Sequence, residues 1–317
     1  MTSSIHQQAV QNNKDSFNEE FAQKYEQLES QSILSILFVK HILEFDLSIV
    51  TTSNPEDSNV VLGDPEKPLN GFSIEETLPD PKTYLQKFPK SIFRPGMKLL
   101  DFACGTGKVT ELFVPYLTQK GQHSEIVGID IGSAFLSWFN KRAEKFTSDE
   151  LTMKSYEYDI LDIDNEPKLE QFNNYFDAII CTISYHHIHN YEQVTKKLAT
   201  FLAPGGWLFI IDFYNEDVER VRDISKATGA VQHMGGLKKD SLNHTLRDIS
   251  GLINVSSSCR FRTWVYQPKE FIMNHCDEET TKKLESGELK SRNSKNGGLE
   301  YLIQANLIYA IGQKNPK

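Results

Sequence analysis

The chain has 317 residues, 39% hydrophobic and 24% charged, so it can bury a sizeable core and is neither an integral membrane protein nor wholly disordered. Its 34 lysines and arginines against 43 acids give a net charge of -9, which argues against nucleic acid or an anionic membrane surface as the main partner. The four cysteines are widely separated without a C-x-x-C pair, which favours neither a disulfide scaffold nor a zinc site.

The first predicted elements are helical. From Asp15 to about Phe45, apolar residues recur at helical spacing, which predicts one or two amphipathic helices. Residues 51–81 contain prolines among Asp, Asn and Ser without periodicity, which is typical of a linker. We therefore predict a helical cap with its linker over residues 1–82 and one domain over 83–317. The most apolar run, Ile33 to Val39, is too short for a membrane span or a signal peptide, so we expect a cytoplasmic protein.

Short apolar runs then alternate with amphipathic segments of helical length. The predicted strands are Lys98 to Phe102, Glu125 to Ile129, Thr152 to Tyr158, Phe176 to Cys181 and Trp207 to Asp212. The predicted helices are Lys108 to Leu117, Ala134 to Lys145 and Tyr191 to Phe201. Alternating strands and helices of this kind imply a parallel sheet with helices on both faces.

The remainder of the chain predicts a helix at Lys238 to Ser250 and two further strands, Ser256 to Tyr266 and Tyr301 to Ile311. A charged segment from Asp277 to Gly298 separates these strands, so they could pair antiparallel at one sheet edge. The predicted fold class is α/β: a doubly wound, mostly parallel seven-stranded sheet with an antiparallel last strand, plus an N-terminal helical cap.

The most informative stretch is the buried strand that runs through Asp101 into the turn Cys104-Gly105-Thr106-Gly107 and then into a helix. Glycines there let the backbone approach a ligand, and free N–H groups at a helix start favour an anionic group. A P-loop is excluded, because Phe102 and Val109 stand where its first glycine and its Ser or Thr belong. A dinucleotide fingerprint is weak, because Thr110 replaces its third glycine.

An acid closing a strand before a C-G-T-G turn resembles motif I of the class I S-adenosylmethionine-dependent methyltransferases, and the resemblance extends over about Phe93 to Phe213. Asp130 ends the second strand, where the family holds the ribose, and Asp159 follows the third, where it holds the adenine. The alternative for each acid is a carboxylate that caps a helix or faces water. Ala103 departs from the family's first glycine; we expect binding to persist if its φ is negative.

The resemblance implies S-adenosyl-L-methionine as the cofactor. The cofactor-binding residues it implies are Tyr25 of the cap and Asp101, Ala103, Gly105, Gly107, Asp130, Ile131, Asp159, Ile160 and Cys181 of the sheet edge. For the aromatic stripe that contains Phe17, Phe21 and Tyr25, packing in the core is the alternative to roofing the cofactor.

Histidines follow the fourth strand, where the family's acceptor meets the methyl group. His187 or His186 is the candidate general base, and the alternative is that both rings only hydrogen-bond the loop or the cofactor. Metal binding by these adjacent rings is disfavoured. Tyr185 in this loop and His233 are the candidate substrate contacts, the latter because residues 231–237 resemble the acceptor side of methyltransferases of the ubiquinone-biosynthesis type.

The predicted activity is transfer of a methyl group from S-adenosylmethionine to a small-molecule acceptor by in-line displacement. The Asn- or Asp-Pro-Pro-Tyr turn of many enzymes that methylate nucleic-acid bases or protein side chains is absent, and Cys181-Thr182-Ile183-Ser184 stands in its place. No nucleic acid or membrane partner is expected. A protein methyltransferase and an inactive S-adenosylmethionine-binding regulator are the alternatives, and the sequence leaves the acceptor and the oligomeric state open.

Overall fold

The computed structural model describes residues 4–47, 60–62, 65–66, 68, 78–214, 229–233, 237–294 and 297–317. Most of the predicted linker and residues 234–236 of the predicted acceptor-side segment lie outside these ranges. No helix among the described residues has the length and apolarity needed to cross a membrane.

Three helices precede the sheet: α1 (Ser4–Ser16), α2 (Glu19–Gln27) and α3 (Glu29–Glu44). The Asn18 side chain caps α2 by accepting the Phe21 N–H at 3.0 Å, which satisfies a donor that the first turn leaves open. The periodicity after Asp15 predicts α2 and α3 correctly. It misses α1, because this helix is largely polar and buries few apolar side chains.

The remaining elements alternate along the chain until the last three strands. The strands are β1 (Val60–Leu62), β2 (Lys98–Phe102), β3 (Ser124–Asp130), β4 (Leu151–Glu157), β5 (Phe176–Thr182), β6 (Leu202–Phe213), β7 (Ile253–Pro268), β8 (Ser291–Asn293) and β9 (Leu299–Gln313). The helices are α4 (Tyr84–Lys87), α5 (Lys108–Leu117), α6 (Ser133–Phe146), α7 (Glu166–Leu169), α8 (Tyr191–Phe201), α9 (Lys239–His244), α10 (Lys269–His275) and α11 (Glu278–Ser286).

These strands form one sheet in the order β1-β7-β9-β6-β5-β2-β3-β4, with β8 paired to β9. Strands β2 to β6 pair in parallel, whereas β9 runs antiparallel between β6 and β7. The fold-class prediction is therefore confirmed, including the antiparallel last strand. Two three-residue strands, β1 and β8, extend the expected sheet.

Both faces of the sheet are covered, so neighbouring residues of a strand enter different cores. Leu99 packs with Phe113 of α5 and Phe139 of α6, and α3 joins the same core through residues such as Phe38. Leu100 enters the other core, which includes α8. Because β2 to β6 run parallel, their carboxyl ends meet at one edge of the sheet, where ligands of open α/β sheets bind.

Candidate active site

The turn after β2 depends on glycine. Gly105 and Gly107 have φ of 53° and 84°, in the left-handed region that side chains disfavour. A Cβ on Gly107 would lie 2.8 Å from Phe139 Cδ2, and one on Gly105 would lie 3.3 Å from Phe135 Cδ1. Close packing of α6 therefore adds to the backbone requirement for glycine at both positions.

Ala103 also lies in the left-handed region, with φ of 54°. We expected this alanine to be tolerated at a negative φ, and the expected sign of φ is wrong. A non-glycine residue held in this conformation costs about 1–2 kcal/mol, so the surrounding contacts must offset strain at the start of the turn. Strain of this kind concentrates at functional sites.

Asp130 joins the end of β3 to the glycine turn. The Gly105 N–H donates to Asp130 Oδ2 at 2.8 Å, and the Gly132 N–H donates to Oδ1 at 2.8 Å. Burial raises the pKa of Asp130, and the two backbone donors oppose that rise by stabilising the carboxylate. Each carboxylate oxygen has two lone pairs, so Asp130 can accept further hydrogen bonds.

Asp101 lies beneath the turn and is only 2% exposed. The Thr110 hydroxyl in the first part of α5 donates a hydrogen bond to its carboxylate. Burial raises the pKa of Asp101 to about 7, with the charge of Asp130 acting in the same direction and the Thr110 hydrogen bond against it. The contact with Thr110 gives Asp101 a structural role as well.

Asp159, beyond the end of β4, is covered by α1. The His6 Nε2 atom lies 2.8 Å from Asp159 Oδ2, and the Leu161 N–H donates to Oδ1 at 3.0 Å. Burial acts to raise the pKa of Asp159, but these two hydrogen bonds bring it below its usual value. Both carboxylate oxygens therefore have protein partners, one of them from the amino-terminal cap.

A cavity of about 190 Å³ lies between α1 and the ends of β3 and β4. Its lining residues are Gln7, Val10 and Lys14 of α1 and Ile131, Glu157, Asp159, Asp162 and Asn165 of the sheet side. Of the apolar residues expected at the cofactor, Ile131 lines this cavity. Ile160 and Cys181 are buried in the core beneath the edge.

Aromatic side chains of the cap stand over the glycine turn. The ring centroid of Phe135, which approaches Gly105, lies 5.6 Å from that of Tyr25 and 5.8 Å from that of Phe17. Burial raises the pKa of the Tyr25 phenol, and the nearby Asp101 and Asp130 carboxylates add to the rise. The structure therefore brings Tyr25 to the predicted cofactor edge.

The histidine loop after β5 contains a buried acid–imidazole pair. His186 Nδ1 lies 2.7 Å from Asp212 Oδ1, and the His186 N–H donates to Asp212 Oδ2 at 3.1 Å. Asp212 is the second-last residue of β6 and is fully buried. Burial lowers the pKa of His186, so a neutral ring donates its Nδ1 proton to the carboxylate, which fixes the tautomer.

His187 is held by different partners. Its Nδ1 lies 3.0 Å from the Ala230 carbonyl oxygen, which accepts the ring proton, and its centroid lies 5.0 Å from that of Phe17. Burial lowers the pKa of His187 to about 3, and the adjacent His186 acts in the same direction. The neutral ring then carries its lone pair on Nε2, the nitrogen that can accept a proton.

The two predicted substrate contacts occupy different environments. The His233 N–H donates to the His186 carbonyl at 2.9 Å, and His233 Nε2 lies 3.1 Å from the Ile188 carbonyl, so this residue borders the histidine loop. Tyr185 instead lies in the core, fully buried, with its hydroxyl 3.1 Å from Thr195 Oγ1 of α8. Its position disagrees with the predicted substrate contact, because the ring points into packed side chains.

Two residues at this edge escaped the sequence analysis. Asp212 closes a predicted strand as Asp101 and Asp130 do, and that shared pattern could have identified it. No pattern in the sequence indicates His6, because its contact with Asp159 joins residues 153 positions apart. Within the described part of the chain, no group of three or more His, Cys, Asp or Glu side chains is placed to hold a metal ion.

Several known proteins are similar to this chain. A family model described as a methyltransferase domain matches residues 75–258. The uncharacterized methyltransferase C1347.09 of Schizosaccharomyces pombe is 29% identical over 61% of this chain and 67% of its own length. The ubiquinone/menaquinone biosynthesis C-methyltransferase UbiE of Shewanella pealeana is 29% identical over 41% of this chain; the match spans 48% of that relative, about half its length. Among solved structures, the YcgJ protein of Bacillus subtilis has a TM-score of 0.47 at 14% identity, over 71% of this chain and 94% of that one.

Proposed function

The chain belongs to the class I S-adenosylmethionine-dependent methyltransferases, and from this premise we propose that it transfers a methyl group from S-adenosylmethionine to a small-molecule acceptor. The observation that carries the proposal is the 2.8 Å hydrogen bond between the Gly105 N–H and Asp130. It joins the glycine turn to the acid of the next strand at the sheet edge where such ligands bind.

The donor and acceptor atoms at this edge fit the cofactor. The glycine turn exposes backbone to an amino-acid carboxylate, and Asp130 keeps lone pairs for the two hydroxyls of a ribose. Carboxylates near the turn also suit a sulfonium, because an opposite charge offsets the cost of burying them. We therefore assign Gly105 and Gly107 to the methionine end and Asp130 to the ribose.

The adenine end requires a movement of α1. The cavity at Asp159 has about 190 Å³, whereas small-molecule sites usually enclose roughly 300–1,000 Å³. His6 occupies one oxygen of the carboxylate that would accept the adenine amino group. We propose that α1 shifts when the cofactor enters, so that Asp159 exchanges its contact with His6 for one with the base.

S-adenosylmethionine, when bound, supplies a methyl group already activated on its sulfonium. The chain then has to orient the acceptor and exclude water, and orientation alone can contribute up to ~7–11 kcal/mol. The aromatic side chains of Phe17, Tyr25 and Phe135 are suited to both tasks, because they form an apolar cover beside the turn.

His187 is the proposed proton acceptor. Its ring stays neutral at physiological pH, with the lone pair on Nε2, so it can accept a hydrogen bond or a proton from an acceptor hydroxyl or thiol. A pKa of about 3 makes it a weak base, because general bases work best when their pKa lies near the working pH. We therefore expect a contribution near the lower end of the usual ~10²–10⁴-fold range.

Asp212 and His186 form the support of this loop. The buried carboxylate holds the His186 ring, and the ring centroids of His186 and His187 are 3.9 Å apart. The His186 carbonyl also accepts the N–H groups of Gln232 and His233 at 2.9 Å. We propose that this pair positions His187 and the neighbouring segment rather than exchanging protons with the acceptor.

A small acceptor is favoured by charge and by a relative. The net charge of -9 disfavours a nucleic-acid acceptor. The relative UbiE is named for ubiquinone and menaquinone biosynthesis, which is consistent with a small-molecule acceptor.

The test begins with titration calorimetry of S-adenosylmethionine against the full chain. Release of labelled methyl groups is then measured with a protein-free metabolite extract and, separately, with a protein extract as acceptor. Binding together with transfer to metabolites supports the proposal. Transfer to proteins alone would make it a protein methyltransferase. Binding without transfer would favour an inactive regulator that binds S-adenosylmethionine. Absence of binding would overturn the proposed cofactor site.

A further inference from the structure

The carboxyl end of α2 is fastened to the residue that follows the glycine turn. Lys108 Nζ donates to the carbonyl oxygens of Glu26 at 2.7 Å and Tyr25 at 3.3 Å, and to the Ser32 hydroxyl at 3.0 Å. Carbonyls of the last helical turn have no partners within the helix, and a cation there also interacts favourably with the helix dipole. Lys108 thereby fixes the end of α2 against the start of α5.

Arg142 of α6 makes a second connection between the same two regions. Its Nη1 donates to the Thr106 carbonyl in the middle of the turn at 3.0 Å, and its Nη2 donates to Glu26 Oε2 at 2.8 Å. Its Nε lies 3.1 Å from Glu111 Oε2 of α5. The Arg142 and Glu26 side chains are only 13% and 12% exposed, so water screens this ion pair less than a surface pair.

The position of Glu26 in the chain gives this connection its consequence. Tyr25 precedes it, and the Tyr25 ring packs against Phe135, which in turn limits the space at Gly105. A shift of α2 would therefore move the aromatic cover relative to the turn. Release of Arg142 would also free the Thr106 carbonyl, whose orientation sets the neighbouring backbone donors.

We propose that Arg142, paired with Glu26, is a positioning residue for the cofactor: it fixes the glycine turn and, through α2, the Tyr25 ring. Arg142 acts on the site through the Thr106 carbonyl and through Glu26. The inference rests on the proposed function, because it assumes that S-adenosylmethionine occupies the turn. It goes beyond that function by making cofactor affinity depend on an ion pair between the cap and α6.

The experiment compares S-adenosylmethionine affinity, by titration calorimetry, among full-length variants. Arg142→Gln and Glu26→Gln are each expected to raise Kd roughly tenfold. The Kd of the double variant is expected to be no higher than that of the single variant that binds less tightly, because the effects of coupled residues are not additive. Arg142→Lys keeps the charge but loses the two-pronged geometry and is expected to fall between wild type and Arg142→Gln. Lys24→Gln is the matched control, since Lys24 lies on the same helix in an exposed pair with Glu270.

Urea unfolding of each variant separates positioning from folding. The proposal requires that Kd rise in variants that remain folded at the assay temperature, with Lys24→Gln unchanged. Equal Kd values for wild type, Arg142→Gln and Glu26→Gln would overturn the positioning role while leaving the proposed function intact. Independent, additive losses in the double variant would also overturn it. If wild type binds no S-adenosylmethionine, the proposed function and this inference fail together.

Discussion

Two sides of the same sheet edge are built in different ways. The turn side, which comprises Asp101, Gly105 and Asp130, comes from two consecutive strands and is held by backbone N–H groups and a nearby hydroxyl. The histidine side, which comprises His186, His187 and Asp212, takes its contacts from segments scattered over the chain, including Phe17 and Ala230. A local motif defines the first side, whereas tertiary packing defines the second.

Burial favours the uncharged form on both sides, with opposite chemical results. It raises the pKa of Asp101 and Asp130, so a cation bound nearby would stabilise the charged carboxylates that burial disfavours. It lowers the pKa of His186 and His187, so these rings stay neutral. The turn side is therefore suited to a cationic cofactor and the histidine side to hydrogen bonds with an uncharged acceptor.

The largest expected effect separates the two sides by their kinetics. His187→Ala should lower kcat about 100-fold, the lower end of general-base contributions, while the Kd for S-adenosylmethionine stays nearly unchanged. Because the pKa of His187 is lowered to about 3, wild-type kcat should not fall on this account between pH 8 and 5. Steady-state rates over that range and calorimetry measure both quantities.

The control for His187 is His189→Ala, a change in the same loop that should leave kcat within about twofold. A His187→Ala variant with full turnover would return this residue to a structural role. A wild-type acid limb near pH 6.5, removed by the substitution, would contradict the neutral state of the ring.

The next effect concerns the turn side. Asp130→Ala should weaken S-adenosylmethionine binding by about 1–3 kcal/mol, because it removes the acceptor for the ribose and leaves the Gly105 N–H without its partner. Calorimetry measures the loss. Asp130→Asn keeps one acceptor oxygen and should lose less. Unchanged affinity in Asp130→Ala would disprove the ribose assignment and with it the contrast between the two sides.

A stability effect sharpens the electrostatic contrast without any ligand. Folded Asp101 keeps its proton up to about pH 7, whereas the unfolded side chain loses it near pH 4. The folded state then binds more protons, so this residue makes the free energy of unfolding fall as pH rises from about 4 to 7. Asp101→Asn should be more stable than wild type at pH 8, by about 1–3 kcal/mol, with the difference shrinking towards pH 4.

Urea unfolding at several pH values measures this difference. Asn can still accept the Thr110 hydrogen bond, so the substitution removes the charge and keeps the contact. The exposed Asp164→Asn should leave the pH profile as in wild type. Equal stability of Asp101→Asn and wild type at pH 8 would show that Asp101 carries no burial penalty.

The smallest expected effect tests whether the cap competes with the cofactor. His6→Ala frees Asp159 Oδ2, so S-adenosylmethionine should bind about two to five times more tightly if the adenine needs that oxygen. Calorimetry again gives Kd, and Gln11→Ala, which removes an exposed hydrogen bond between Gln11 and Asp15 on the same helix, serves as control. Weaker binding in His6→Ala would mean instead that His6 helps to hold the adenine.

The sequence predicted correctly that Gly105 and Asp130 lie close together, because the information for this contact is local. Gly105 and Asp130 lie 25 positions apart, one strand–helix–strand step, and such a step brings strand ends to the same edge. The alternation of strands and helices predicted the parallel sheet, and the two last apolar runs, separated by a charged segment, predicted the antiparallel β9. The φ of Ala103 escaped prediction because backbone strain depends on what surrounds a turn rather than on its residue types.

Other features depend on contacts distant in the chain. The short strands β1 and β8 have no periodicity of their own and form because β7 and β9 offer free edges. Tyr185 resembles a pocket residue in the sequence but packs against α8. The His6–Asp159 contact joins a polar helix to the sheet, and no local pattern indicates which polar helix will be held in this way.

Backbone hydrogen exchange with and without S-adenosylmethionine tests most directly the claim that the turn side binds the cofactor. We expect slower exchange at residues 105–107 of the turn, and at residues 159–161 where the adenine is proposed to bind, on addition of the cofactor, with little change in the central residues of β7 and β9. Protection confined to other segments, or none at saturating cofactor, would contradict it.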